Sequence, residues 1–350
     1  MVKSFLKKWW NDLKYEPGDP RQLAGGRIKI AAIGGGTGLS TLLRGLKDYS
    51  NDISAIVSVA DNGASSGELR KEFDILPPGD IRKCISALSY DEELVSDLLE
   101  YRFKKGNNSF SGHTLGNIWI TGLTEYFGSF ERALEVTTGL FKTAGKVMPA
   151  TLDDIDIHIE YEDGSKMTGE SHLDEVLKKI NRISLSKKNA SAYAGAVSAI
   201  EEADLILVGP GSLYGSVIPN LLIGGITKAI ESNKKAVKIY IANCSTERTQ
   251  TRNYSIEDHI NVIKDHVNSE IFNYCLVNSN IIKNSKDESK LGEVNNITTS
   301  SREIDGVKVV SGDLINEKNP LYHDSTKLAE SIISLYKETR NNRAQNTDNR

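Results

Sequence analysis

The chain has 350 residues, 39% hydrophobic and 26% charged, with a formal net charge of −4. That length buries a core without disulfide or metal staples, and no global basic field recruits nucleic acid. Three scattered cysteines, Cys84, Cys244 and Cys275, argue against a disulfide framework or a cysteine-rich zinc site and read as small buried hydrophobes in a reducing compartment.

The opening residues, MVKSFLKKWWNDLKY, do not form a secretory signal, because their apolar clusters are short and broken by lysines. Phe5, Leu6, Trp9, Trp10 and Leu13 fall near one face of a short helix. It is read as a pre-domain helix packing on the body or on a partner subunit, in preference to an interfacial anchor. Pro17, Gly18, Pro20 and Gly25–Gly26 make a linker, so residues 1–26 precede a single domain at 27–338. Residues 339–350 hold one alanine as their only apolar residue and are expected to be disordered. No window approaches the roughly 18 apolar residues of a spanning helix.

Residues 28–33, IKIAAI, read as a buried strand that glycine ends at once. A helix follows, carrying Leu39, Leu42, Leu43 and Leu46 at spacings of three and four. Further short apolar strands are expected at 53–60, 204–209 and 237–243, with helices at 113–127, 129–140, 190–202 and 216–231. Strands alternating with helices predict an α/β fold, an open and mostly parallel sheet covered on both faces. Residues 155–169 alternate with period two around Asp163–Gly164 and predict an antiparallel hairpin insert, with a second such piece at 303–311. His259 and His266, seven apart on a helix, read as partly exposed surface residues.

Four of the 29 glycines, Gly34, Gly35, Gly36 and Gly38, lie between the first strand and the first helix. Such a turn presents backbone N–H groups at a positive helix end and lets a phosphate approach closely, with Thr37 and Ser40 as hydroxyl donors. The spacing fits neither a dinucleotide G-x-G-x-x-G nor a Walker A loop. GGGTG is closer to the phosphate loop of tubulin-like GTPases, but Ser40 stands where those have glycine and the loop comes too early in the domain. A second loop, LVGPGSLYGS, ends the 204–209 strand; ligand binding and a plain capping turn on Ser212 or Ser216 explain it equally well. After the second strand, Asp61 is placed to accept ribose hydroxyls or hold a metal, and Ser65 and Ser66 to donate to phosphate. Asp80 and Arg82 follow a rigid turn, where Arg82 suits bidentate phosphate recognition and Asp80 a helix cap. His113 falls at a helix start, where it donates a hydrogen bond in preference to acting as a strong base. No nucleophile elbow, zinc-protease motif or carboxylate pair of glycosidase type is present.

The blocks GGGTGLSTLLRGLK (34–47), VSVADNGASSGELR (57–70), LPPGDIRKCISALS (76–89), GHTLGN (112–117), VMPAT (147–151) and VGPGSLYGSVIPNLLIGGI (208–226) occur in the order of the CofD/YvcK-like family, which the chain resembles from 28 to about 265. The resemblance implies a Rossmann-like fold. The closer branch, the gluconeogenesis factors, implies a cytoplasmic protein that binds UDP-sugars such as UDP-N-acetylglucosamine and links carbon metabolism to cell-wall synthesis and cell shape. The distant branch, 2-phospho-lactate transferase, implies phosphoryl transfer from a guanosine diphosphate lactate donor to a deazaflavin hydroxyl, helped by magnesium, with Asp61 near the flavin.

Motifs and resemblance together give these candidate ligand contacts: Gly34, Gly35, Gly36, Thr37, Gly38, Leu39 and Ser40, then Asp61, Asn62, Ser65 and Ser66. Gly79, Asp80 and Arg82, then His113, Thr114 and Asn117, continue the set, and Gly209, Gly211, Ser212, Leu213, Tyr214, Asn243 and Thr246 complete it. Asp61 is also the candidate catalytic or metal-holding residue of a transferase. The family's second aspartate is replaced by Asn62, halving the local charge available to magnesium. A glycine turn is lost after Thr246, and Gly215 replaces a usual threonine. The expected partner is a nucleotide-diphosphate ligand, with a homo-oligomer allowed.

Overall fold

The computed structural model describes residues 28–104, 106, 109–280, 296–297 and 299–348. The expected N-terminal helix and linker lie outside the described residues.

Eight strands form one sheet: β1 (Ile30–Gly34), β2 (Ile53–Val57), β3 (Gly145–Pro149), β7 (Leu205–Val208), β8 (Val237–Ile241), β9 (Tyr274–Asn278), β10 (Glu303–Ile304) and β11 (Val307–Gly312), in the order β10-β11-β9-β8-β7-β1-β2-β3. All pairs are parallel except the β10–β11 hairpin. Three further strands, β4 (Ile157–Tyr161), β5 (Lys166–Thr168) and β6 (Ile180–Leu185), make a separate antiparallel sheet, β4 hairpinned to β5 across Asp163–Gly164. The fold is thus a mostly parallel α/β sheet with an antiparallel insert, and the second hairpin extends the main sheet.

Every residue of β1, β7 and β8 is buried, as expected of parallel strands covered on both faces. β1 lies between β2 and β7, with Ile30 opposite both Ile53 and Leu205. The helix Gly36–Leu46 turns Leu39, Leu42, Leu43 and Leu46 into the core at the predicted spacing. The predicted 216–231 helix is broken into a π-turn at Leu213–Val217 and helices Ile218–Leu222 and Gly224–Ser232. The break falls at Ile223, whose extended backbone (φ −74°, ψ 105°) separates the two helices, while Pro219 sits in the first turn of Ile218–Leu222, where a missing N–H is tolerated. No single helix among the described residues is long and apolar enough to cross a membrane; the apolar pair 213–222 and 224–232 is bent by 75° and mostly packed in the core.

Two expectations need correction. The tail does not come apart at 339: the last helix runs Ser325–Asp348. Leu328, Ala329, Ile332, Ile333 and Tyr336 anchor its apolar side, and extending a formed helix is cheap even for a polar sequence. Thr339 Oγ1 donates to Tyr274 Oη (3.1 Å) and Arg343 Nη1 to the Lys235 carbonyl (2.6 Å). His259 and His266 are buried, on the same inward stripe of helix Ile256–Val267 as Ile256, Ile260 and Ile263. Tyr240 Oη lies 2.8 Å from His259 Nδ1, and His266 Nε2 accepts from the Ile183 N–H (3.1 Å).

Candidate functional site

The loops after β1, β2, β7 and β8 all leave the carboxyl edge of the sheet, where open parallel sheets bind ligands. There they surround a cavity of about 760 Å³. Gly36 begins the first helix with φ of +59°, a backbone state that a side chain disfavours. At Gly38 the constraint is distance: a Cβ would lie 2.3 Å from the Pro210 carbonyl oxygen. The two glycine loops, far apart in sequence, therefore touch backbone to backbone. Asn243, at the end of β8, clamps the second loop by accepting from Gly211 N–H and donating to Gly211 O, both at 3.0 Å. Asn220 Nδ2 donates to Gly34 O (3.0 Å) from behind.

Of the predicted contacts, Gly35, Gly36, Thr37, Gly38, Asp61, Asp80, Gly211, Ser212, Asn243 and Thr246 line the cavity. Ser212 accepts from the Gly215 N–H (2.9 Å), so its capping role is real, and it also donates to Gln250 Oε1 (2.6 Å). Gly34, Leu39, Ser40, Gly209, Leu213 and Tyr214 are buried in the wall behind. Ser40 Oγ donates to Thr37 O, and Tyr214 Oη pairs with Tyr254 Oη, both at 3.0 Å. Asn62 Oδ1 accepts from Ser171 N–H (3.1 Å) and so docks the antiparallel insert onto the loop after β2. Ser66 hydrogen-bonds Asp61, and a Cβ at Gly79 would meet the Ser66 hydroxyl at 2.3 Å.

The remaining predicted residues sit elsewhere. Ser65, His113 and Asn117 form a buried cluster, with Ser65 Oγ 2.9 Å from His113 Nδ1 and accepting from Asn117 Nδ2 at 3.0 Å. Thr114 caps the helix Leu115–Phe127 through the Asn117 N–H. Arg82 is placed differently from the expected phosphate contact. Its guanidinium pairs with Glu100 at 2.9 Å, it is buried, and it does not line the cavity. The reason is helical phase: on helix Gly79–Leu88, positions two apart point to opposite sides, whereas positions three apart share a face. Lys83 takes the place, with Nζ 2.9 Å from Asp80 Oδ1.

The floor of the cavity is acidic. Burial, with Asp80 nearby, pushes Asp61 above the usual carboxylate range, although the Gly63 N–H (2.9 Å) opposes this. Burial pulls the Lys83 ammonium down, but Asp80 outweighs it and the net shift is upward. The insert contributes Glu170 and Asp174, and the loop after β8 contributes Glu247. Gln250 Nε2 donates to Asp174 Oδ1 at 3.1 Å. Burial, then Asp174, raises Glu247 to about 7, and its Oε2 is enclosed without a partner among the described residues. Lys83 was detectable from its spacing to Asp80; Glu170, Asp174 and Glu247 carry no local motif. His323, also on the lining, is held down at about 4 by burial.

An open, mostly parallel sheet whose carboxyl-edge glycine loops meet over a polar cavity defines an α/β protein of the Rossmann-like kind. Residues 30–315 match the family described as 2-phospho-L-lactate transferase CofD. The gluconeogenesis factor of Bacillus subtilis is 39% identical over 318 residues, covering 90% of this chain and all of the relative. That of Halalkalibacterium halodurans is 41% identical over 308 residues, covering 87% of this chain and 95% of the relative. A crystal structure of a Bacillus halodurans protein superposes with a TM-score of 0.83 at 40% identity, over 88% of this chain and 100% of that one. The chain belongs to the CofD/YvcK-like family, among relatives named gluconeogenesis factors.

Proposed function

We propose that the protein is a cytoplasmic binding protein for a nucleotide sugar of the UDP-N-acetylglucosamine type, acting in the regulation of carbon metabolism, cell-wall synthesis and cell shape. The carrying observation is the backbone contact of two glycine loops at the edge of the cavity. The exposed amino end of helix Gly36–Leu46 suits a diphosphate, Lys83 supplies a cation, and Asn243, Thr246 and Ser212 offer polar contacts to the nucleoside or sugar. The volume is in the range of small-molecule sites, roughly 300–1,000 Å³. Isothermal titration with UDP-N-acetylglucosamine, UDP-glucose and GDP tests this: heat with a uridine nucleotide sugar is expected, and its absence with all of them would sink the reading.

A transferase is the second reading, favoured by the family description and by Asp61 on the cavity floor. Phosphoryl transfer needs positioning and charge neutralisation more than a nucleophile. The residues present do not fit magnesium. Asn62 spends its Oδ1 on Ser171 N–H, Asp80 pairs with Lys83, and among the described residues no three acidic, histidine or cysteine groups converge on one point. Product formation from a deazaflavin acceptor would favour this reading over binding alone.

A further inference from the structure

Asp61, Asp80, Glu170 and Asp174 share the cavity with Lys83. Three of the four carboxyls have partners: Asp61 accepts from Gly63 N–H, Asp80 from Lys83 and Asp174 from Gln250. The Glu170 side chain forms no hydrogen bond or ion pair with the other described residues. Its position is built from two sides. The Asn62 bond to Ser171 N–H holds the end of the insert against the loop after β2. Opposite, Gly215 leaves room, since a Cβ there would lie 2.8 Å from Glu170 Oε1.

Carboxylates that share one cavity with a single ammonium resist full ionisation, and the one without a stabilising donor holds its proton longest. Burial, reinforced by Asp61, Asp80 and Asp174 and opposed by Lys83, pushes Glu170 well above the usual carboxylate range. A neutral carboxyl has one O–H to donate. Among the described residues no acceptor takes it, and the cavity it enters is edged by the anion-attracting end of helix Gly36–Leu46.

We propose that Glu170 is a proton-carrying ligand contact, whose neutral carboxyl donates a hydrogen bond to a diphosphate oxygen of the bound ligand and thereby links affinity to pH. It rests on the proposed function only in taking the ligand to carry a diphosphate. The groups facing Glu170 are Asp61 from the loop after β2, Asp80 and Lys83 from helix Gly79–Leu88, and Asp174 from helix His172–Glu175; Glu175, Cys244, Glu247, Arg248, Tyr322 and His323 complete the charged or titratable lining among the described residues. An ionised Glu170 would repel the phosphate oxygens, so binding is full below its titration and weakens above it.

The test is calorimetry with UDP-glucose and GDP-mannose. Their phosphates are diesters and hold a constant charge, unlike a terminal phosphate, whose second pKa is about 6. Wild-type affinity is expected to fall by up to about tenfold per pH unit above the Glu170 titration, with proton uptake measurable in two buffers of different ionisation enthalpy. Glu170→Gln keeps a donor that cannot titrate, so it should match the low-pH wild type within about threefold and lose the pH dependence. A flat wild-type curve, zero proton uptake, or an unchanged slope in Glu170→Gln overturns the proposal. pH-independent binding of UDP-glucose would leave the nucleotide-sugar reading standing and remove Glu170 from it. pH-dependent binding of GDP-mannose alone would keep Glu170 and remove the uridine preference. No binding of either overturns both. If Glu170→Gln fails to melt cooperatively, the wild-type proton uptake decides.

Discussion

Gly38→Ala puts the meeting of the two glycine loops to a direct test. The added Cβ would stand 2.3 Å from Pro210 O, 2.7 Å from Pro210 C and 3.0 Å from Gly211 N. An ordinary contact needs about 3.3 Å or more, so one loop must retreat by about 1 Å. Neither can move freely. The second loop is clamped by Asn243, and the first follows β1, whose last carbonyl accepts from Asn220 Nδ2 and the Ser58 N–H. Overpacking of this kind costs about 1–3 kcal/mol, and at about 2–4 °C per kcal/mol the midpoint should drop by several degrees. Gly122→Ala is the control. Gly122 lies mid-helix, exposed, with nothing within 4 Å of a Cβ, so the same change there should gain up to about 1 kcal/mol. Urea unfolding of both variants, with titration of UDP-N-acetylglucosamine, reads the outcome. If Gly38→Ala is as stable as the wild type and binds equally well, the loops do not form one rigid edge and the reasoning fails.

Glu247→Gln should stabilise the protein, and the gain should depend on pH. The folded carboxyl at about 7 lies above its ordinary 4.5, so ionisation penalises the native state increasingly from about pH 4.5 to 7. The variant's advantage should therefore grow over that window and level off at about 3 kcal/mol above it, as read by urea unfolding at several pH values; a constant difference would refute the assignment. His259 is depressed to about 4 by burial, so native stability should be lost as pH falls from about 6.5 toward 4, with the His259 ring neutral by NMR at pH 5.5. A charged ring at that pH would show that Tyr240 and the helix do not enclose it. Arg70 is buried and bonds Asp154, Asp156 and the Ile155 carbonyl, tying helix Ala64–Phe73 to the start of the insert. Arg70→Ala should cost about 2–3 kcal/mol and expose the 154–161 amides to faster hydrogen exchange; unchanged exchange would mean that the insert is held elsewhere.

The parts of the fold readable from sequence were those whose signal is local. β1, β2, β7 and β8 are short apolar runs closed by glycine or polar residues, as buried parallel strands must be. β3, β6 and β9 carry no such clear signal. β3 ends in Pro149 on the edge of the sheet, where a missing N–H is tolerated but the run looks broken. The site divides in the same way. Glycine loops are visible because their backbone demands are written in consecutive residues. Glu170 and Asp174 reach the cavity only because a hairpin insert docks through Asn62, a contact across 109 positions. Arg82 falls off the cavity because residue type alone carries no helical phase, and Asp80 and Lys83 share the face that meets it.

The place of β1 bears on how the chain is made. Among the described strands this one is synthesised first, but it becomes central only when residues 205–208 pair with its second edge. About 170 residues separate the two, roughly 10–35 s of translation at about 5–20 residues per second. Through that interval the nascent chain carries an apolar strand with an open side, and any helper that shields emerging polypeptides would be needed there more than at the later, peripheral strands.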